Sequence, residues 1–354
     1  MSTNTYSRPR LFIGNNEVIS FKSVQFTDSG QNLPTSLNVT INDPELRRSS
    51  LSNKEIIFFL NYGSDDTVPF FRGIIRQVNP TDKQVQLTAY DVRTLLTGKE
   101  SLPLRLTDEQ NFDGHTLGQF LSSYIKENIN INETVIGTDF LNDTNPVVSL
   151  TNVRADDISP LQLVVDNLPK DSSSLTDIRQ HRLSVVDDGV KSNLVFVKEQ
   201  SITDVGVSFT YSDGIKALSV RKRQAPNLLS TMVDGTKVVY KHNNLSGGVR
   251  GGKIEGKFSY PDEAIQHAFI DSTLKERDAE ITLDATKGHY LNIGNIVNIS
   301  TPDYVEINGK HRIVSKQVTC SSNNISCNLQ LSKEKPLLSD YLLARNQLLQ
   351  SRLS

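Results

Sequence analysis

Two β-rich regions of this sequence match one another at a constant offset, so the chain has to accommodate the same small module twice. Residues 53–91 fall on residues 293–331 without a gap. Val85 then coincides with Ile325, and Leu87 coincides with Cys327. Identical residues are few, but three successive strand-like stretches have equal spacing in both regions. This regularity predicts two copies of one β module.

The first region consists of short stretches in which apolar and polar residues alternate. SLNVTIND alternates Leu37, Val39 and Ile41, and it stops at Asp43-Pro44. A period of two is typical of a strand with one buried face. Five or six such strands in about ninety residues, separated by turns, predict a small antiparallel sandwich or barrel.

The middle of the chain has a different pattern. Apolar residues at helical spacing predict a helix after the turn Asp113-Gly114, with Thr116 or Asp113 as its cap. ADDISPLQLVVDNL predicts a second, shorter helix with Pro160 in its first turn. A hairpin is predicted about Asp188-Gly189. The apolar helix positions are Leu117, Phe120, Leu121, Tyr124 and Ile125.

These patterns predict an α+β fold that is mainly β. Two small antiparallel β-barrels, residues 8–98 and 221–335, flank a mixed α+β middle domain, residues 99–220. An amphipathic helix, residues 336–354, ends the chain.

Composition narrows the functional classes. The net charge of −2 and the pI near 6.3 argue against specific or general nucleic-acid binding, which favours a basic surface. The first residues, MSTNTYSRPRLFIG, lack the apolar core of a secretory signal, and no apolar run is long enough for membrane insertion. Two cysteines and no tryptophan favour synthesis in a reducing compartment. We expect a soluble protein made in the cytoplasm.

A glycine-rich stretch, NNLSGGVRGGKIEG, contains the spacing of a phosphate-binding loop. Gly247 and Gly252 are five residues apart, and Lys253 follows the second. The motif requires Ser or Thr next, because that hydroxyl binds magnesium, but the residue is Ile254. A helix should also begin there, and the sequence does not predict one. We interpret the stretch as a connecting loop.

Cys320 and Cys327 lie on either side of Asn323-Asn324, a dipeptide that suits a tight turn. If that dipeptide is the turn, the two cysteines face each other across a hairpin. A disulfide or a metal pair is one interpretation. Two small apolar side chains on one face are the other, and we favour it.

Residue patterns for catalysis or metal binding are weak. The histidines are scattered without a zinc-binding spacing, and no G-x-S-x-G sequence occurs. Carboxylates are plentiful, so a glycosidase pair stays open, since the separation of two carboxylates is decided in three dimensions. Arg221-Lys222-Arg223 is either a contact for a nucleic acid or an acidic partner, or a solvated strand end or linker, and we favour the latter. We predict no catalytic residue, no cofactor and no metal site.

The final helix offers a candidate partner interface. Its apolar side chains would be costly to leave in water, at roughly 1.5–3 kcal/mol for each fully buried one. They pack either on this chain or on a neighbouring subunit, and the sequence leaves both open. The residues are Leu337, Leu338, Tyr341, Leu342, Leu348, Leu349 and Leu353.

Three features resemble the first domain of the baseplate hub proteins of contractile phage tails, the late control protein D-like, tail-tube-fold family. A strand ends in Asp43-Pro44, an aromatic strand leads through Phe70-Phe71-Arg72 to Gly73, and a third strand closes with Tyr90-Asp91. The ending EINGKHRIVSKQVTCSSNNISCNLQLSKEK is similar to the second barrel of such hubs. The likeness covers about the outer two-thirds of the chain.

The resemblance implies a structural protein of the virion, made in the host cytoplasm. Such hubs are homotrimers whose two tail-tube-like barrels form a pseudo-hexameric ring around the ejection channel. The implied partners are the tail tube or a distal tail protein ring, the central spike and the end of the tape-measure protein. A distal tail ring protein and a peptidoglycan hydrolase at the tail tip are the alternatives.

Overall fold

The structure is a computed structural model, and it describes most of the chain in separate segments. The described residues are 9–30, 33–43, 46, 50–60, 68–97, 115–129, 136–141, 159–168, 181–198, 204–212, 214–222, 228–233, 236–241, 251–253, 279–285, 288–303, 307–321 and 324–333. Within them the protein is mainly β with few helices.

The first repeat folds as the alternating pattern predicts. In β4, Leu37, Val39 and Ile41 are buried, whereas Asn38 on the opposite face is exposed. A 3₁₀ helix, Val92–Leu96, follows the last strand, and Asp91 caps it. The strands are β1 Arg10–Ile13, β2 Asn16–Glu17, β3 Phe21–Asp28, β4 Ser36–Ile41, β5 Glu55–Phe59, β6 Phe71–Pro80 and β7 Val85–Tyr90.

The middle segment has its own hydrophobic core. Thr116 caps the first helix in a capping box with Gln119, and the five predicted apolar positions of that helix are buried. Ser159 caps the second helix, whose first residue is Pro160. The elements are α1 Leu117–Asn128, β8 Ile136–Gly137, a 3₁₀ helix Asp139–Leu141, α2 Pro160–Asn167, β9 His181–Asp187 and β10 Ser192–Lys198.

The second repeat contains most of the remaining strands. Three of them form a small separate sheet in the order β14-β13-β15. The strands are β11 Asp204–Phe209, β12 Ile215–Lys222, β13 Leu228–Val233, β14 Thr236–Lys241, β15 Gly251–Lys253, β16 Ala279–Ala285, β17 Ile296–Ile299, β18 Gly309–Ser321 and β19 Asn324–Lys333.

The two repeats have the same strand order. The first is ordered β3-β4-β7-β6-β5-β1, and the second is ordered β12-β16-β19-β18-β17 with β11 beyond β17. Irregularities in strand register recur as well: one falls between Phe21 and Ser23 in β3, and the equivalent one falls between Ile215 and Ala217 in β12. β11 pairs with β17, and β12 pairs with β16. Because both partners belong to the second repeat, we propose that this repeat begins near residue 204.

The constant offset is wrong by two residues in the β6–β18 match, and by two residues in the opposite direction in the β7–β19 match, where Val85 is equivalent to Cys327 and not to Ile325. Ile75 exchanges backbone hydrogen bonds with Asn53 and Lys54, and Ile313 makes the same pair with Gly294 and Asn295. Ile75 is therefore equivalent to Ile313, whereas the constant offset sets it on Ser315. A slip of two keeps the same side chains on the buried face, so the sequence pattern could not reveal it.

The predicted pair of separate barrels needs correction. Apart from β13, β14 and β15, the strands of both repeats belong to one 13-stranded sheet that does not close into barrels, and they share one hydrophobic core. The link is an antiparallel pairing of β18 with β3, in which Val318 lies opposite Phe26 and Cys320 opposite Val24. We call this pairing the repeat seam. Sequence periodicity defines which face of a strand is buried, but it does not select the neighbouring strand.

The hairpin with the two cysteines is also shifted from the prediction. Ser321 pairs with Asn324, so Cys320 lies opposite Ile325 and Cys327 opposite Val318. The turn therefore lies one residue earlier than Asn323-Asn324. Both cysteines are free thiols buried on the core face.

Candidate functional site at the junction of three segments

A cavity of about 570 Å³ lies where the two repeats meet the middle segment. The first repeat contributes Phe26, Phe70 and Arg72 to its wall, the middle segment contributes β9, and the second repeat contributes Lys316. Charged side chains line this space, and Arg72, Arg93, Arg182 and Lys316 each contact a residue of another segment. Their partners indicate what the junction does.

Arg93 and Asp91 form a buried ion pair at the end of the first repeat. Nη2 of Arg93 lies 2.6 Å from Oδ2 of Asp91 and 2.8 Å from Oγ1 of Thr35. Nη1 donates to the carbonyl oxygen of Leu183 in β9 at 3.1 Å. Burial by itself would lower the pKa of Arg93, but the charge and hydrogen bonds of Asp91 raise it above its ordinary value. Arg93 therefore stays charged and connects the first repeat to the middle segment.

Arg72 makes a second connection between the same two segments. Its Nε lies 2.7 Å from Oδ2 of Asp187, and its Nη1 lies 3.0 Å from Oε1 of Glu55. Nη2 donates to the carbonyl oxygen of Gly189 in the β9–β10 turn. Burial would lower the pKa of Arg72, and hydrogen bonds with the two carboxylates raise it. The guanidinium plane thus holds the turn against β5 and β6.

Lys316 lies in the repeat seam with 4 % of its surface exposed. Its Nζ donates to the carbonyl oxygen of Leu291 at 2.6 Å, and the carbonyl oxygen of His289 lies at 3.4 Å. The ammonium group is also 5.4 Å from the ring centroid of Phe26 and 5.3 Å from that of Phe70. Burial lowers the pKa of Lys316. The lysine joins both repeats through carbonyl oxygens and ring faces.

Arg182 ties the middle segment to the second repeat, because its Nη2 donates to the carbonyl oxygen of Ile293 at 2.8 Å. All three segments are therefore connected in pairs. The carboxylates of Asp91 and Asp187 each face a guanidinium group, an arrangement that favours a fixed ion pair over proton transfer. The geometry suits a junction that sets the relative orientation of the two repeats.

Most of the site residues expected from sequence lie elsewhere or are not described. The seven apolar residues of the C-terminal helix lie outside the described residues, as does Gly247. Gly251, Gly252 and Lys253 form β15, which pairs in parallel with β13, so this part is a strand and not a loop. Arg221 and Lys222 lie in β12. Among the described residues, no group of three or more His, Cys, Asp or Glu could hold a metal ion.

Sequence reasoning did not predict the junction. Arg72 and Asp91 belong to the strands that resemble the hub family. That resemblance does not assign Asp187 to Arg72 or Arg93 to Asp91. The sequence contains two relevant features: Arg72 directly follows two phenylalanines in a predicted strand, and Asp91 lies two residues before Arg93. Neither identifies a partner more than a hundred residues away, such as Asp187 for Arg72.

No helix in the described part of the chain has the length and apolar character needed to cross a membrane.

The sequence itself matches no family model and no curated protein. The structure is similar to solved tail proteins from several sources. The 43 kDa tail protein of prophage MuSo2 from Shewanella oneidensis is 15% identical, with a TM-score of 0.60, and the match covers 92% of this chain and 96% of that one. A tail protein from Neisseria meningitidis MC58 is 13% identical, with a TM-score of 0.58, and the match covers 94% and 98%. This chain has the fold of phage tail proteins.

The third similar structure comes from a secretion system. The Escherichia coli c3393 protein is 11% identical, with a TM-score of 0.53, and the match covers 93% of this chain and 79% of that one. It is a component of the type VI secretion system with structural similarity to the T4 bacteriophage tail proteins gp27 and gp5. The fold therefore occurs in phage tails and in a secretion machine.

Proposed function

We propose that this protein is the structural hub of a phage tail baseplate or of a related injection particle. Three copies form a ring of six repeats that joins the tail tube, or a distal tail protein ring, to the central spike. The ring lines the ejection channel and receives the end of the tape-measure protein. The observation that carries the proposal is the repeat seam together with the two strand edges that correspond to it.

In the seam, β18 of the second repeat pairs with β3 of the first repeat. The equivalent of β18 in the first repeat is β6, and the equivalent of β3 in the second repeat is β12. No described strand pairs with residues 78–80 on the side away from β7, or with the outer edge of β12. Each chain therefore offers one edge of each kind, and residues 78–80 of β6 correspond to residues 316–318 of the seam.

Burial supports this pairing of edges. Val24 and Phe26 in β3 are 1 % and 8 % exposed beside β18. Their equivalents in β12, Leu218 and Val220, are only partly buried. A strand placed on the outer edge of β12 would cover them as β18 covers their counterparts.

A contact between two different edges is heterologous, so it produces either a closed ring or an open filament. Lys316 links the two repeats directly, and Arg93 and Arg182 link each of them to the middle segment, which supports one fixed relative orientation of the repeats. If the same orientation is repeated between chains, the ring closes after a small whole number of copies. Three copies give approximate sixfold symmetry, which suits a connector between a sixfold tube and a threefold spike.

A cysteine pair tests the edge contact directly. Gln317 lies opposite Thr27 in the seam, and the equivalent positions are Asn79 in β6 and Arg221 in β12. Residues directly opposite in an antiparallel pair have the Cα separation that a disulfide requires. Under mild oxidation, the double variant Asn79→Cys/Arg221→Cys should form disulfides between chains, ending at a covalent trimer. The double variant Thr27→Cys/Gln317→Cys should form its disulfide within one chain.

A shifted pair supplies the matched control. Asn79→Cys/Ala217→Cys places the second thiol four residues along the same strand, so it should not be bridged. Light scattering on the unmodified protein gives the mass independently. A monomer at all concentrations, or bridging that is equal in the matched and shifted pairs, would contradict the proposal. Release of peptidoglycan fragments by the purified protein would favour the hydrolase alternative.

A further inference from the structure

β9 is an edge strand, and its outer side faces the junction cavity. It ends the three-stranded sheet β8-β10-β9, and among the described strands it pairs with β10 alone. At the turn between them, the N–H of Asp188 donates to the carbonyl oxygen of Lys191, so these residues form a hydrogen-bonded pair. Hydrogen-bonded and non-hydrogen-bonded pairs alternate along an antiparallel ladder. The backbone groups of Leu183, Val185 and Asp187 therefore point away from β10.

Two arginines of the first repeat occupy the ends of this outer side. As the alternation predicts, Nη1 of Arg93 donates to the carbonyl oxygen of Leu183. At the other end, Nε of Arg72 donates to the carboxylate of Asp187. Val185 lies between them and lines the cavity, and no described residue bonds to its outward N–H and C=O groups. A strand edge with an open donor and an open acceptor suits the addition of an extended peptide.

Lys316 brings a buried positive charge to the same cavity. The carbonyl oxygens of Leu291 and His289 account for two of the three donors of its ammonium group. Within the described part of the chain Lys316 forms no ion pair, although Asp28 also lines the cavity and acts on its charge from a longer distance. A buried charge without a contacting counterion is costly. A carboxylate that entered the cavity would therefore gain a strong partner in a site with little competing water.

Apolar groups complete the wall of the cavity. Val186 and Tyr290 line it and are 47 % and 55 % exposed, and Pro69 and Phe70 line it from the first repeat. Exposed apolar groups beside a concave site are typical of binding grooves. The volume of about 570 Å³ lies within the range of roughly 300–1,000 Å³ that is usual for ligand sites. The cavity thus combines a strand edge, a cation and apolar contacts, which together suit a peptide with an acidic residue.

We propose that the junction cavity binds a short extended peptide, which pairs with Val185 as an added strand and places a carboxylate beside Lys316. The ligand is an acidic segment of another protein. Arg93 and Arg72 limit the added strand to a few residues, because their side chains occupy the edge on either side of Val185. The proposal does not require the ring, so either one can fail while the other stands. A free dicarboxylate has the same charge but no backbone that could pair with β9.

Paired peptides test the role of the charge. A panel of fluorescein-labelled pentapeptide amides carries Asp at the centre and Ser, Val or Leu elsewhere, and each member has a twin with Asn at the centre. Fluorescence anisotropy measures their binding to the full-length protein. Some members with Asp should bind at least about tenfold more tightly than their twins, since a hydrogen bond between two charged groups is stronger than one to an amide. If no member with Asp exceeds its twin, the proposal is wrong.

Hydrogen exchange tests the added strand. The outward N–H of Val185 has no acceptor among the described residues, so a bound strand should slow its exchange by at least about tenfold. Mass spectrometry with fragmentation to single residues measures this rate for the tightest peptide and for succinate. Succinate should leave the rate unchanged. Peptide binding without slower exchange at Val185, or equal slowing by succinate, would show that no strand is added there.

Two lysine substitutions test the position of the carboxylate. Lys316→Met removes the buried ammonium group, and Lys22→Met removes an exposed one from β3 as a matched control. The ratio of the affinities for the Asp and Asn peptides should fall to about one in Lys316→Met and stay unchanged in Lys22→Met. A retained preference for Asp in folded Lys316→Met would overturn the proposal. If Lys316→Met does not fold, the twin peptides and the exchange of Val185 in the unmodified protein decide the outcome by themselves.

Discussion

Asn53 and Gly294 occupy equivalent positions in the two repeats and share a left-handed backbone conformation, with φ of 65° and 88°. Each donates its backbone N–H to a carbonyl oxygen, Asn53 to that of Ile75 in β6 and Gly294 to that of Ile313 in β18. Among the described non-glycine residues, Asn53 is the one with positive φ. Asparagine tolerates this conformation better than other residues that have a Cβ atom. The left-handed bend therefore occurs at the same position in both repeats and is a feature of the module.

This bend gives the first prediction. Gly294→Ala should lower the free energy of unfolding by about 1–2 kcal/mol, because the new Cβ disfavours the left-handed conformation. Asn53→Gly should change it by less than about 0.5 kcal/mol, since glycine accepts the same backbone angles and the lost Asn53–Arg76 hydrogen bond is exposed. Urea denaturation monitored by circular dichroism measures both. Equal effects of the two substitutions would mean that the bend is not strained.

The close approach at the repeat seam gives the second prediction. A Cβ atom on Gly30 would lie 2.5 Å from the carbonyl oxygen of Val314, whereas one on Gly14 would meet nothing within 4 Å. Both glycines have positive φ, 68° and 58°. Gly14→Ala therefore measures the cost of the backbone conformation without a steric contact. Gly30→Ala should destabilise the protein by at least about 1 kcal/mol more than Gly14→Ala, since backbone atoms cannot move aside cheaply. Thermal unfolding of the two variants side by side gives the difference.

The buried ion pair of Arg93 and Asp91 gives the third prediction. Arg93→Met should cost about 3–5 kcal/mol, because the Asp91 carboxylate would be left in a buried site without its ion-pair partner. Arg10→Met removes the exposed pair with Glu17 and should cost less than about 1 kcal/mol. Chemical denaturation measures both costs. Adding Asp91→Asn to Arg93→Met should recover part of the loss, and failure to recover any would show that packing, not charge, dominates there.

Lys316 gives a prediction about pH. Burial lowers its folded-state pKa below the ordinary value of 10.5, so the unfolded chain binds more protons than the folded one between these two values. The free energy of unfolding should therefore rise with pH across that interval and level off above 10.5. Lys316→Met should remove this rise, which denaturation of both proteins over a series of alkaline buffers would detect. An identical pH dependence of the two proteins would show that Lys316 does not titrate in this interval.

Local structure was readable from sequence where neighbours along the chain determine it. The Thr116 cap, the buried positions of α1 and the hairpin about Asp188-Gly189 follow from short-range hydrogen bonding and helical or alternating periodicity. The turn near Cys320 was placed one residue too late, because Asn323-Asn324 looks as suitable for a turn as the preceding dipeptide. The C-terminal helix and its seven apolar residues stay a prediction.

The amino-acid sequence by itself determined the strands, their buried faces and the presence of a repeated module, because each depends on side chains within a few residues of one another. The tertiary structure decided that β3 pairs with β18, that the two modules share one sheet, and that Arg72 meets Asp187. A period of two says which side of a strand is apolar and nothing about which strand lies beside it. That choice depends on packing and on charge pairs between distant parts of the chain, and it exists only once the chain has folded.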